Sequence, residues 1–332
     1  MSLEVIGRKP VIGLLGIMQE LYDKMLPGIT ERQEAYGREV AGRLSAVADV
    51  RFPCAVRCRE DIERVMAGFR ADGVDGVLIV MLTYGPGLRL VNAFRDCELP
   101  LMLANIQPEP RVTAAWDMGD LTYNQGVHGA QDTANTLIRL GKKFTVWSGD
   151  WKSPAFVQAV ETFAIAAHTV SSMKQAKIAV FGRMPGMGDI LTDPHTFMRK
   201  LGPQIDHIGM GSIVAQMNRT SPAEVAAVLD FCRANFDMDP RLKPAQLEEA
   251  AKIQIGITKV LEKGGYDAFS LYFNEIGFDG RFTQIHMMAA SNLMAAGYGY
   301  SAEGDTNCAA LMVAGRAIAA DPHFTEMYAM DF

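Results

Sequence analysis

Short apolar runs alternate with stretches of helical period along this chain. Residues 11–15, 77–82, 101–103 and 144–147 read as buried strands, and between them segments such as 31–48 and 61–69 repeat their apolar positions every three or four residues. That alternation predicts parallel sheets with helices on both faces, because parallel strands need crossover connections and the crossover helices cover the sheet. A long helical stretch, 153–173, comes next. Lys177–Phe181 then starts the alternation afresh, with 182–188 as its exit loop, so a domain boundary is expected near residue 173.

The second half repeats the theme. Residues 221–236 open with Ser221-Pro222, an N-cap followed by a first-turn proline. Ala250, Ile253, Ile257, Val260 and Leu261 line one face of a helix that Gly264-Gly265 ends. A strand over 268–272 leads to Glu275, a helix over about 287–296 leads to a strand over 298–302 and to Glu303, and residues 308–320 are again helical. The segment 321–332 ends in an extended stretch that reads like the first strand of something further on.

Composition narrows the class. At 332 residues the chain is longer than one typical domain. Its net charge of −6 is spread without a basic block, which argues against nucleic acid or a membrane surface as partner and leaves a small anionic substrate open. The five cysteines (Cys54, Cys58, Cys97, Cys232 and Cys308) are odd in number and contain no CxxC pair, so neither a disulfide framework nor a zinc knuckle is suggested, and a reducing cytoplasm fits. No run approaches the roughly 18 apolar residues of a membrane span, and the first ten residues lack a signal peptide's apolar stretch, so a soluble cytoplasmic protein is expected. The 20 methionines are scattered through helix-like segments as core filling.

Two acids carry the best candidate chemistry. Glu275 and Glu303 each follow a strand, and the 28 residues from position 275 to 303 suffice for one strand–helix–strand unit. Both then fall on the carboxyl edge of one parallel sheet, where open α/β sheets form their sites. Carboxylates so placed can share a hard divalent cation such as Mg, Mn or Ca. They can equally be helix-capping acids. Asp305 is a candidate for orienting a ligating acid. The polar run from Leu121 through Asn124, Gln125 and His128 to Gly129 could meet a polyol, or Asn124 could simply cap a helix. Gln19 and Tyr84 each follow a predicted strand and belong to the same sheet edge as that run. The glycine-rich loop 182–189 lacks the Lys-Ser/Thr of a P-loop and does not match GxGxxG, so it reads as a flexible loop.

These residues together resemble the L-arabinose isomerase and L-fucose isomerase group, almost end to end. Gln19-Glu20-Leu21-Tyr22 is similar to the family's Gln-His-Leu-Tyr, and Leu82-Thr83-Tyr84-Gly85-Pro86 to its His-Thr-Phe-Ser-Pro. Asn124-Gln125 with His128-Gly129 resembles Asn-Gln-x-x-His-Gly. The most specific match is Gly297-Tyr298-Gly299-Tyr300-Ser301-Ala302-Glu303-Gly304-Asp305, which follows Gly-Tyr-Gly-Phe-Ala-Gly-Glu-Gly-Asp, the family's glutamate being a metal ligand. Two departures stand out. Phe273-Asn274-Glu275 replaces Phe-Glu-Asp, leaving Asn274 or Glu275 for the first ligand position. Family members also continue into a β-rich third domain that supplies a histidine ligand, and the stretch 324–332 resembles the approach to it, with Asp331 where a histidine is usual.

The resemblance implies two successive Rossmann-like α/β domains: residues 1–172 with the substrate crevice and oligomer contacts, and 173–320 with the glutamate pair. Residues 321–332 would then begin a C-terminal domain not present in this chain. It also implies a manganese-dependent aldose–ketose isomerase acting through an enediol, with Glu275 and Glu303 as metal ligands and as base and acid. Gln19, Leu21, Tyr84, Gln125 and His128 would bind substrate, in a homo-oligomer whose sites lie at subunit interfaces. Without the third domain's ligand, little turnover is expected of the 332 residues alone. The rival expectation is a non-catalytic sugar-binding or regulatory homologue. The particular sugar is not specified by these motifs.

Overall fold

A computed structural model describes residues 9–319 and 321–331. They divide into two compact units, 9–168 and 169–331, and the division falls inside helix Pro154–Gln175 rather than after it.

The first unit is a parallel sheet of β1 (Val11–Ile17), β2 (Asp49–Arg51), β3 (Ala55–Val56), β4 (Gly76–Met81), β5 (Leu101–Asn105) and β6 (Thr145–Ser148). The order is β2-β1-β4-β5-β6, with β3 also pairing with β1. Every residue of β4 is buried, which explains its unbroken apolar run: a central parallel strand covered on both faces has no polar side. Leu78 and Val80 join Ile12 and Leu14 in a core with Val40 and Leu44 of helix Ile29–Leu44 and Phe156 and Val160 of helix Pro154–Gln175. Val77 and Ile79 face the other way, onto Ile62, Val65 and Phe69 of helix Arg59–Ala71 and Leu137 of helix Gly126–Arg139. Side chains of this size stabilise by about 1.5–3 kcal/mol each when fully buried, so Phe69→Ala, at about 3–5 kcal/mol, would break that layer.

The sequence marks β6 as a buried strand, and the structure corrects this. Thr145, Val146 and Ser148 are exposed because β6 ends the order and pairs only with β5.

The second unit has four parallel strands, β7 (Lys177–Phe181), β8 (Gln204–His207), β9 (Ala268–Leu271) and β10 (Gly299–Ala302), in the order β10-β9-β7-β8. Helix Pro222–Asn235 starts at a capping box in which Ser221 N donates to Glu224 Oε2 at 2.7 Å and Glu224 N to Ser221 Oγ at 3.3 Å. Helix Pro244–Gly264 ends at Gly265, whose φ of 64° is left-handed. Its Ile257 and Leu261 pack with Phe181, Phe269, Leu271, Leu293 and Tyr300 on one face of the sheet. Ile178 and Ala268 meet Ala309 and Ala310 of helix Thr306–Ala319 on the other. Residues 321–331 contain no helix or strand. No helix among the described residues is long and apolar enough to cross a membrane.

Candidate active site

In the first unit, β1 lies between β2 and β4, so successive strands are added first on one side of β1 and then on the other. The carboxyl ends of β1 and β4 therefore flank a switch point, the place where open α/β sheets form a crevice. Gln19 leaves β1 and Tyr84 leaves β4, and Gln19 N donates to Thr83 Oγ1 at 3.4 Å, tying the two exits together. Gln125 and His128 arrive at the start of helix Gly126–Arg139. A Cβ on Gly129 would sit 2.4 Å from Met81 Cε and 3.2 Å from Gly85 N, so the missing side chain lets this helix seat on the end of β4. Tyr22 OH donates to Gln125 Oε1 at 2.8 Å, and Gln125 Nε2 lies 3.3 Å from His128 Nδ1. Burial, and then neighbouring Tyr84, raise the Tyr22 phenol. Tyr84 OH donates to Asp132 Oδ2 at 3.4 Å, an oxygen that also accepts from Gly87 N at 2.9 Å. Leu21 is exposed beside this group.

Asn124 does not join it. It closes helix Met118–Tyr123, its buried side chain accepts from Glu109 N at 2.9 Å, and it is spent on local structure.

In the second unit, the switch point lies between β7 and β9, and the sequence's acid pair borders it. Glu275 sits in the short helix Phe273–Gly277 that follows β9, and Glu303 follows β10, whose Ala302 pairs with Leu271. The connection leaving β7 touches both. A Cβ on Gly182 (φ 78°) would lie 2.2 Å from Glu275 Cγ and 2.8 Å from its Oε1, so the Glu275 side chain lies directly on Gly182. Met184 N donates to Glu303 O at 2.8 Å, and a Cβ on Gly304 would lie 2.8 Å from Gly182 O. Asn274, the other candidate for the first position, donates its amide to Tyr272 OH at 2.7 Å.

Glu303 is held in an unusual conformation. Its φ of 65° is the only positive value at a non-glycine residue among the described residues. That region costs an L-residue roughly 1–2 kcal/mol, and strain of this kind collects at functional sites when the surroundings over-determine it. Here they do. Glu303 N donates to Leu271 O at 3.2 Å, and the buried Ser270 Oγ lies 2.9 Å from Ser301 O and 3.0 Å from Ala302 O while accepting from Gly304 N at 2.9 Å.

Burial raises the Glu303 carboxyl, with Glu326, Asp189 and Asp305 adding to the rise. A carboxylate crowded by other acids favours a cation, and carboxylate oxygens suit a hard divalent ion. Glu275 is not among the acids that raise Glu303, and among the described residues no three His, Cys, Asp or Glu side chains are gathered to hold a metal. Asp305 does something else: its Oδ1 accepts from Asn307 N at 2.8 Å and Cys308 N at 3.1 Å, capping helix Thr306–Ala319. Asp331 is exposed. Behind Glu303, Tyr300 OH lies 2.9 Å from His286 Nε2, and burial holds His286 down to about 4.

Sequence reading missed Tyr22, Asp132, Ser270 and Gly182. Tyr22 lies within a matched motif, but its partner Gln125 is 103 residues away in sequence. The roles of Ser270 and Gly182 come from backbone contacts between strands distant in sequence.

Both α/β units have counterparts among known proteins. Residues 11–175 match the L-arabinose isomerase N-terminal domain and 193–321 the L-arabinose isomerase central domain. The L-arabinose isomerase of Shouchella clausii is 28% identical over 258 residues, covering 75% of this chain and 52% of that protein. That of Clavibacter sepedonicus is 24% identical over 309 residues, covering 90% and 60%. L-arabinose isomerase 2 of Clostridium acetobutylicum is 28% identical over 249 residues, covering 72% and 50%. The chain thus spans between 50% and 60% of the length of these relatives. With both of its α/β units matched in order, the chain belongs to the L-arabinose isomerase family.

Proposed function

We propose that this chain carries the proton-transfer centre of an aldose–ketose isomerase, with Glu275 and Glu303 as its working acids. The observation that carries the reading is Glu303, pinned in a left-handed conformation at the end of β10 and joined through Gly182–Met184 to the acid at the end of β9. Moving a carbonyl along a sugar needs a base to take a proton from the carbon beside it and an acid to return a proton to the neighbouring carbon. Two carboxylates in different surroundings can divide those roles. Glu275 and Glu303 are proposed to divide these two roles between them. A divalent cation held by these carboxylates, manganese being our candidate, would supply the positive charge that stabilises negative charge developing on the sugar oxygens.

Gln19, Leu21, Tyr84, Gln125 and His128 are proposed to hold the sugar in a homo-oligomer whose sites are completed across subunits. In the first unit, a polyol would find alternating donors and acceptors at Gln125, His128 and Tyr84.

The test is incorporation of solvent deuterium into candidate aldoses together with appearance of the ketose, in the presence of manganese. Wild type should exchange deuterium, which needs only the first proton transfer, with slight net ketose formation, and Glu275→Gln and Glu303→Gln should each reduce the exchange rate about a hundredfold or more. Sugar binding without exchange by the wild type would replace this reading with that of a non-catalytic sugar-binding homologue.

A further inference from the structure

β6 closes the order of the first sheet with an open edge. Gly149 N donates to Asn105 O at 3.4 Å at the end of β5, and successive N–H groups along a strand alternate in direction. Thr145, Trp147 and Gly149 therefore bond toward β5, while the N–H and C=O groups of Val146 and Ser148 point away from the sheet. Among the described residues no hydrogen bond reaches the N–H of either. Val146 is 58% exposed. It shares a face with Leu103, its partner on β5, where helix Gly126–Arg139 packs and leaves Ile138 exposed. An open strand edge is a template for another chain, and proteins blunt such edges with charges, prolines or bulges. The other sheet ends are guarded: β2 carries Asp49 and Arg51, β8 carries Asp206, and β10 is largely buried. β6 has none of these devices. Its Thr145-Val146-Trp147-Ser148 is uncharged and rich in strand formers, and its pairs with β5 run without a bulge.

We propose that β6 is the docking edge for a second copy of this chain, the two strands pairing antiparallel about a two-fold axis at Val146 so that one sheet runs through both first units. The free backbone groups select the register. Only outward-facing residues can exchange bonds, and centring on Val146 uses all of them: Val146 meets its own counterpart, and Ser148 meets the counterpart of Phe144. The same register brings the ends together, Lys143 of each copy coming beside Asp150 of the other. Both are exposed, and Lys143 is in no ion pair among the described residues. Burial, and then Asp150, raise the Tyr36 phenol, which packs in the same core as Trp147, so Asp150 lies toward that face. Lys143, continuing the alternation back from Trp147, belongs to that face too. An apolar side chain at the centre with opposite charges at the two ends is self-complementary, as a two-fold contact requires. The edge is short, which puts the interface at the small, weak end of the range. The proposal names a surface for the homo-oligomer and does not depend on the isomerase reading.

Sedimentation equilibrium of the 332-residue chain over about 1–100 μM tests this, and wild type should dimerise in that range. Val146→Lys sets like charges against each other on the axis and should weaken dimerisation about tenfold or more. Val146→Pro removes only an outward N–H, leaves the bonds to β5 in place and should act in the same direction. Because Val146 is exposed, Val146→Lys should keep the melting transition of the dilute wild type. Lys143→Glu and Asp150→Lys should each weaken dimerisation about tenfold, and an equimolar mixture of the two should recover it, because the mixed pair carries opposite charges at both ends. Val146→Cys should cross-link to its own counterpart under mild oxidation, since hydrogen-bonded antiparallel partners lie about 5.5 Å apart at Cα, within disulfide range. A wild type that stays monomeric, an assembly whose mass and affinity are unchanged in Val146→Lys and Val146→Pro, or a mixture no tighter than its components would each overturn the proposal.

Discussion

Gly182→Ala probes the contact on which the acid pair depends. Two penalties arise at this position. Its φ of 78° places an L-residue in the left-handed region, at roughly 1–2 kcal/mol. The new methyl would also fall 2.2 Å from Glu275 Cγ, which forces the carboxylate off Gly182 or moves the backbone, an overpacking penalty of about 1–3 kcal/mol. Gly186 provides the control, because its φ of 87° carries the same backbone strain while a Cβ there meets nothing within 4 Å. At about 2–4 °C per kcal/mol for a unit of this size, Gly186→Ala should lower the melting transition by a few degrees and Gly182→Ala by several more. If Glu275 escapes by rotating away, the extra melting loss shrinks and the damage moves to ligand binding. The assay therefore pairs thermal unfolding with manganese titration, and Gly182→Ala should lose at least tenfold in manganese affinity where Gly186→Ala loses little. Identical behaviour of the two variants in both readouts would show that Glu275 does not lie on Gly182 in the working protein.

Ser270→Ala leaves Gly304 N and a β10 carbonyl without their shared partner and should destabilise the second unit by about 1–3 kcal/mol in urea unfolding; a change under 0.5 kcal/mol would mean that Ser270 does not hold the Glu303 turn. His286 is held near 4 when folded and titrates near 6.5 when unfolded, so below 6.5 the unfolded chain takes up a proton that the folded one refuses and stability falls as pH drops. The loss is about 2 kcal/mol by pH 5 and about 3 kcal/mol near pH 4, and His286→Gln should flatten it; an equal pH slope in variant and wild type would remove the assignment. Gly129→Ala drives a methyl to within 2.4 Å of Met81 Cε, and should cost about 1–3 kcal/mol and disturb the Tyr22–Gln125–His128 chain, visible as a shifted Tyr22 titration in the ultraviolet; an unchanged melting point would contradict the close seating of that helix.

What the sequence shows and what it hides follow from burial. Central strands such as β4 and β7 are legible because both faces are covered, which leaves an apolar run with no competing signal. β2, β3 and β8 are not, since two to four residues such as Gln204-Ile205-Asp206-His207 form no apolar run. β8 closes one end of its sheet and has a polar face, where Asp206 accepts from Tyr266 OH at 3.0 Å. In the site, Glu275 and Glu303 are visible because strand ends can be counted. That Asn274 turns to Tyr272 while Glu275 lies on Gly182 depends on side-chain directions that spacing cannot supply. The same holds for Asp305, whose position beside Glu303 suggests a supporting role while its oxygen caps a helix. Arg183 lies inside a glycine-rich loop that has no motif to mark it, and an unpartnered donor becomes visible only once its surroundings are known.

Manganese calorimetry on wild type, Glu275→Gln, Glu303→Gln and Asn274→Asp tests the central claim most directly, since it reads the acid pair without requiring turnover. The account predicts one manganese bound by wild type, a loss of at least tenfold in each glutamine variant with the melting point retained, and little change in Asn274→Asp. Wild-type affinity in Glu303→Gln would contradict it.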